Sequence, residues 1–304
     1  MWFHYRLYGL TIISERPLPL LRPEPDEDRP VDVTIRFGVV RTPDLPVLGE
    51  SRGLTVYQDG SGLWLSGTGA RFLIADGSSI LADVPADMSG AGMHTCLMGP
   101  AMAWLLHLRD RPPLHACVIA IGVRAVALVG NSGVGKSTLA RALLARGHGL
   151  VTDDQAVIET NPALVHPGYP AIKLWADSAR LHGDETPETL RVLPDVDKFH
   201  RPFPDQFRET PLPLVLTVIL RRAPALTAPD VVRTTPMQAA ALLQHFLYRA
   251  KEGRLLNRGR AGFDWTIALS REMPVIVLRR PDNLDMLNCL CDEVEGLVDT
   301  AMPL

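Results

Sequence analysis

A chain of 304 residues, 46% of them hydrophobic, has material for two cores and the composition of a globular protein. Its formal net charge of −3 offers no basic field to a nucleic-acid backbone, which argues against DNA or RNA as the main partner. No apolar run reaches the roughly 18 residues of a membrane span, and Met1-Trp2-Phe3-His4-Tyr5-Arg6 lacks the features of a secretion signal. A soluble, cytoplasmic protein with no membrane partner is therefore expected.

Residues 1–90 read as a small antiparallel β-rich domain. Residues 5–14 form an apolar-leaning run, an acidic proline-rich loop (Pro23-Glu24-Pro25-Asp26-Glu27-Asp28) follows, and residues 31–37 alternate with the strand period. Residues 54–57 and 63–65 flank one turn signal, Gln58-Asp59-Gly60-Ser61-Gly62, and residues 70–75 and 79–84 flank a second at Asp76-Gly77. From residue 93 to 108 the spacing turns helical (Leu97, Met102, Leu105, Leu106), which sets a helical connector at 91–110. Residues 111–304 alternate strand and helix, the pattern of an α/β domain with a mixed or parallel sheet. Its strands are expected at 116–121, 123–129, 149–152, 156–159, 214–220 and 275–278, and its helices at 236–248 and 283–300. The four cysteines are scattered, and Cys289-Leu290-Cys291 lacks a zinc-site pattern, so they read as reduced thiols.

Gly130-Asn131-Ser132-Gly133-Val134-Gly135-Lys136-Ser137-Thr138 is a complete G-x-x-x-x-G-K-[ST] loop, with an apolar strand ahead and helix formers behind as far as Arg146. In such a loop successive backbone N–H groups point at phosphate oxygens, the lysine reaches the β- and γ-phosphates, and the serine hydroxyl ligates Mg²⁺. The helix N-terminus adds its partial positive charge. The expected ligands are ATP and Mg²⁺, on residues 130–138.

Asp153 and Asp154 follow 17 and 18 residues beyond Lys136, at the end of an expected strand. Phosphoryl transfer uses one carboxylate at the metal and another to orient or deprotonate the acceptor. Adjacent strand residues point to opposite faces, so one of the two is expected to face the γ-phosphate; a solvated Asp-Asp turn is the alternative. On the substrate side, Lys173, Lys198 and Arg249 are candidates to meet phosphate or a peptide carboxylate, against the alternative of solvated surface cations. Arg249, Lys251, Arg254, Arg258 and Arg260 form a basic run that either closes over the triphosphate or is a solvated face.

Leu114-His115-Ala116, the 130–137 loop and Gly147-His148-Gly149-Leu150-Val151-Thr152-Asp153-Asp154 together resemble the catalytic domain of HPr kinase/phosphorylase, which phosphorylates a serine on a protein. The resemblance covers residues 110–160. It implies an α/β P-loop kinase domain of the HPr kinase C-terminal type over 111–304, with Asp153 as base on the acceptor serine, Asp154 at the metal and His115 supporting the site. Where that family's phosphorylase has a Glu-Arg-Gly-containing signature and a short basic loop, this chain has His166-Pro167-Gly168-Tyr169-Pro170-Ala171-Ile172-Lys173-Leu174-Trp175, so phosphorolysis is not carried over. That segment, with Tyr8-Gly9-Leu10, Ser14-Glu15 and Val31-Asp32-Val33, is similar to HPr-kinase-like proteins found beside peptide-modifying machinery. Among them, lasso peptide-tailoring kinases phosphorylate the C-terminal serine of a precursor peptide. The resemblance thus implies a serine kinase with a peptide or protein acceptor, and a homo-oligomer is among its implications because family members hexamerise. Two other readings use the same loop: a nucleotide-dependent regulatory ATPase signalling through the β-rich domain, and a kinase of a small-molecule alcohol.

Overall fold

The computed structural model describes residues 1–26, 28–256 and 259–301. Its first eight strands are β1 (Phe3–Leu7), β2 (Leu10–Ser14), β3 (Val33–Phe37), β4 (Val47–Ser51), β5 (Leu54–Tyr57), β6 (Gly62–Leu65), β7 (Arg71–Ala75) and β8 (Ser79–Asp83). They form one sheet in the order β1-β2-β3-β8-β7-β6-β5-β4. The expected all-antiparallel pairing is corrected at two places, since β3 lies parallel to both β2 and β8. Tight turns force antiparallel neighbours, but the long excursion after β2 lets β3 re-enter in the same direction as its neighbour. The edge strand β4 escaped the sequence reading because its Val47-Leu48-Gly49-Glu50-Ser51 run does not alternate and is mostly exposed.

The connector does not stand apart from this sheet. It comprises α1 (Gly90–Cys96), a π-type turn over Leu97–Ala101 and α2 (Met102–Leu108). Leu97, Met102, Trp104 and Leu105 are buried in one core with Ile12, Ile35, Phe72 and Ile80 of the sheet. That core also takes in Val157, Tyr169 and Ala171 from beyond the acidic pair, so the first half packs directly against the segment that frames the candidate site. Pro100 inside the π-type turn cannot donate to a preceding carbonyl, and the widened turn leaves carbonyls in need of other donors.

The second half is a three-layer sandwich. Strands β9 (Ala116–Ile121), β10 (Arg124–Val129), β11 (Gly149–Thr152), β12 (Ile158–Glu159) and β13 (Leu164–Val165) come before the small sheet formed by β14 (Ala171–Trp175), β15 (Arg191–Leu193) and β16 (Val196–Pro202). The eleven-residue β17 (Leu212–Arg222), β18 (Asp230–Arg233) and β19 (Val275–Arg280) complete the main sheet. In it β10, β17 and β19 run parallel, while β9, β11 and β18 are antiparallel to their neighbours. Helices α3 (Lys136–Ala145) and α8 (Leu287–Thr300) pack together on one face. Between β14 and β16 lies α4 (Ala176–Leu181), and after β18 come α5 (Pro236–His245), α6 (Ala250–Leu255) and α7 (Gly259–Glu272), of which α5 and α7 cover the other face. Parallel strands buried on both faces read as continuous apolar runs, which is why β10, β17 and β19 were legible. Helix α7 was not foreseen, its glycines and polar residues masking a narrow apolar stripe. No described helix is long and apolar enough to cross a membrane, and the four cysteines are free.

Candidate active site

The loop leaves the carboxyl end of β10 by a turn that only glycine can make. Gly130 has φ +150°, and a Cβ there would lie 2.9 Å from both the Leu220 carbonyl oxygen and Val134 Cγ1. Val134 pins the loop from below, with its side chain in the α3/α8 core and its N–H donating to the Asn131 carbonyl at 3.2 Å. Gly135, at φ +104°, leads into α3 without a capping side chain and with no acidic residue in the first turn. The first N–H groups of α3 are thereby left for an anion. Lys136 Nζ folds back and donates to the Gly130 carbonyl at 2.6 Å and the Asn131 carbonyl at 3.3 Å. The Thr138 hydroxyl shares a 2.9 Å hydrogen bond with the Ser178 hydroxyl.

The acidic pair lies on a constrained turn. Gln155 N–H donates to the Asp153 carbonyl at 2.8 Å, and Asp154 between them has φ +64°. This closes a three-residue turn in a region that a non-glycine residue occupies only when its surroundings hold it there. They do so from three sides. Lys173 N–H donates to Asp153 Oδ2 at 2.8 Å, Lys173 Nζ donates to Asp154 Oδ2 at 2.6 Å, and His115 Nδ1–H donates to the Asp154 carbonyl at 3.0 Å. A carbonyl can only accept, so the His115 proton sits on Nδ1 and Nε2 keeps its lone pair. Gln155 Nε2 in turn donates to the Met98 and Gly99 carbonyls at 2.6 and 3.0 Å, which satisfies the π-type turn and ties the acidic segment to the N-terminal half. Beyond it, a Cβ at Gly168 would overlap Thr152, and this close approach lets residues 168–173 run beside β11.

The two carboxylates titrate apart. Burial, and then the neighbouring Asp154 charge, raise the Asp153 pKa above the ordinary carboxylate range. Burial also opposes ionisation of Asp154, but the Lys173 ammonium outweighs it and holds this carboxyl below that range. Burial by itself would lower Lys173, and its partner Asp154 keeps it protonated and well above the usual lysine value. His115 is pushed down by burial and is neutral near pH 7. The thiol of Cys117, behind Asp153, is driven up by burial and by that carboxylate and takes no part as a nucleophile.

Of the three substrate-side lysine and arginine candidates, Lys173 is the one turned in to the acidic pair. It is 6% exposed and committed to Asp154, so it acts within the site rather than as a surface contact for a peptide. Lys198 lies opposite Trp175 on β16, its Nζ 5.8 Å from the indole centroid, and its charge is felt by both aspartates. Arg249 pairs with the buried Glu252 at 3.2 Å and, with Lys251 and Arg254, lines an open cleft of about 760 Å³ that begins at His115 and residues 130–132. The basic run thus divides: Arg260 pairs with Asp264 on α7, and Arg258 lies outside the described residues. Two arginines were missed. Arg52, in the β4–β5 turn, lines the same cleft from the N-terminal sheet, and Arg280 Nε donates to the Val134 carbonyl at 2.7 Å beneath the loop. No local motif marks either, since each reaches the site through the tertiary fold.

The donor set fits a hard cation only in company with phosphate. Among the described residues no group of three or more His, Cys, Asp or Glu could hold a metal alone. The Ser137 hydroxyl and the Asp154 oxygen that Lys173 leaves over are hard oxygen donors of the kind that complete a Mg²⁺ shell made mostly of phosphate and water.

Comparison with known proteins falls on this same stretch. An HPr kinase/phosphorylase from Polaromonas sp. (strain JS666) is 46% identical over 48 residues, which are 16% of this chain and 15% of that protein's length. The structure of an Hpr(Ser) kinase/phosphatase from Coxiella burnetii overlaps 62% of this chain and 93% of its own, with 18% identity and a TM-score of 0.33. Residues 107–168, which carry His115, the loop and both aspartates, match the HPr Serine kinase C-terminal domain family.

Proposed function

We propose that the protein is a kinase that transfers the γ-phosphoryl group of ATP, bound with Mg²⁺, to the hydroxyl of a serine in a peptide or protein. The observation that carries this reading is the meeting of two prepared halves: a glycine loop opening into α3 with Lys136 at its base, and an acidic turn locked by Lys173 and His115. The match of residues 107–168 to a serine kinase family supports it. In this reading the loop N–H groups and Lys136 hold the phosphates, and the Lys136 ammonium exchanges its carbonyl partners for phosphate oxygens. Mg²⁺ bound at Ser137 and Asp154 would neutralise phosphate charge. Asp153, with its raised proton affinity, accepts the acceptor hydroxyl's proton as the hydroxyl oxygen bonds to the γ-phosphorus; the bond to the β–γ bridging oxygen breaks and ADP departs.

The acceptor we favour is the C-terminal serine of a lasso-type precursor peptide. Its support is the charge of the cleft, where among the described lining residues Arg52, Arg249, Lys251 and Arg254 are answered by a single acid, Glu252, that is 1% exposed and already paired. A chain-terminal carboxylate beside the reacting serine suits such a wall. Serine-terminated peptides presented as free acid and as amide, with ATP, test this: amidation is expected to lower kcat/KM about tenfold to a hundredfold, the worth of a charge-assisted hydrogen bond. Equal rates, or phosphate on an interior serine, would overturn terminal recognition and leave an internal protein serine as acceptor.

A further inference from the structure

The loop has two ends, and the acidic turn fixes which one receives the γ-phosphate. His115, bonded to the Asp154 carbonyl, lines the large cleft together with residues 130–132, so a triphosphate with its γ-phosphate beside the acidic turn extends from that end of the loop towards the start of α3. On that side a slot continues from the loop itself. Its walls include Gly135 and Thr138 of the loop and α3, Arg280 at the end of β19, and Asn283, Leu284 and Leu287 at the start of α8. It lies outside the carboxyl ends of the parallel strands β10 and β19, where open α/β sheets place their ligands.

We propose that this slot is the nucleobase subsite, holding the purine of the triphosphate whose phosphates occupy the loop. The inference rests on the phosphate-loop reading and extends it to the other end of the nucleotide. A purine has two apolar faces and polar edges, and the slot offers that combination. Leucine side chains supply the apolar walls, the Arg280 guanidinium is held flat against the loop by its 2.7 Å bond to the Val134 carbonyl, and Asn283 places an amide at the rim. Asn283 Oδ1 already accepts from Asp285 N–H at 2.9 Å, which leaves its amide N–H groups as donors for a ring nitrogen or carbonyl of the base. The enclosed space is only about 40 Å³, so the base lies across the mouth with an edge inserted. Leu284 forms the outer lip. It is 58% exposed on a single 3₁₀ turn.

The test compares binding of Mg-ATP with binding of Mg-tripolyphosphate, which has the phosphates and no base, by calorimetry on the full chain. Wild type is expected to bind ATP more tightly than tripolyphosphate. Leu284→Asp is expected to weaken ATP about tenfold, and Leu284→Ala by less, with tripolyphosphate unchanged in both. If Leu284→Asp leaves ATP binding intact, or weakens both ligands equally, the base lies elsewhere. If wild type binds neither ligand, the phosphate-loop reading itself fails and the subsite falls with it; binding of both ligands with equal affinity overturns the subsite alone.

Discussion

Lys173→Met retains most of the side chain's length and removes its charge, so it isolates the 2.6 Å ion pair with Asp154. The two side chains are 8% and 21% exposed. Deleting one partner of a buried pair costs about 3–5 kcal/mol, because the survivor is left as an unpaired buried charge. The partial exposure of Asp154 allows some rehydration and places the expected loss near the lower end, about 3 kcal/mol at neutral pH. The backbone N–H of Lys173 remains to hold Asp153, so the loss belongs to the Asp154 arm of the turn. Asp154→Asn strands the ammonium instead, and the double variant strands neither charge. Urea unfolding of the four proteins is expected to show the double variant more stable than the summed single losses by at least about 1 kcal/mol. The sign with pH follows from the depressed Asp154 carboxyl: the pair's contribution is complete above the ordinary carboxylate range and is lost as pH falls through the lower folded value. Strictly additive losses, or a Lys173→Met loss under about 1 kcal/mol, would refute the pair as the anchor of the acidic turn.

Four further outcomes are expected. Lys136→Ala should lower transfer by at least about a hundredfold, a loss on the order of 3 kcal/mol, while urea unfolding stays near wild type; retained turnover in the folded variant removes Lys136 from the site. Gly130→Ala should abolish nucleotide binding in calorimetry, since its Cβ meets the Leu220 carbonyl oxygen and Val134 at 2.9 Å, and full affinity would mean that the loop relaxes freely. Asp153→Asn should remove most of the single-turnover rate and leave ATP affinity nearly intact. In wild type the acid limb of kcat/KM should lie above the ordinary aspartate range of about 3.9, because the raised Asp153 must lose its proton before it can accept one, and a limb at or below that value argues for another base. Gln155→Leu removes the amide donor shared by the Met98 and Gly99 carbonyls, of which Gly99 keeps the Met102 N–H, and should cost about 1–3 kcal/mol in the same unfolding assay; no loss would mean that water replaces the amide.

The parts of this site that local chemistry determines were legible in the sequence. A glycine loop between a strand and a helix has one spacing, and its residues 130–138 lie where that spacing sets them, with α3 beginning at Lys136. The alternating and apolar runs likewise identified β5, β10 and β11 to within a residue or so. What the sequence could not supply is distance. Arg52 and Arg280 reach the site from opposite ends of the chain, and nothing in Ala171-Ile172-Lys173-Leu174-Trp175 decides between a substrate-side and a solvated lysine or shows that its ammonium turns inward to Asp154. The strand β16 is polar enough, Val196-Asp197-Lys198-Phe199-His200-Arg201-Pro202, to read as loop, although it carries Lys198 to the aspartates. The connector was read as a link between two domains, and its packing with the N-terminal sheet and its bond to Gln155 belong to tertiary structure that periodicity does not encode.

The most direct test of phosphoryl transfer is incubation of the full chain with γ-³²P-ATP, Mg²⁺ and serine-terminated peptides, with label followed in both peptide and inorganic phosphate. The account predicts label on the peptide at serine, dependent on Mg²⁺ and lost in Lys136→Ala. Label released only as inorganic phosphate, with peptides and added proteins unlabelled, would contradict it and identify a nucleotide-hydrolysing switch.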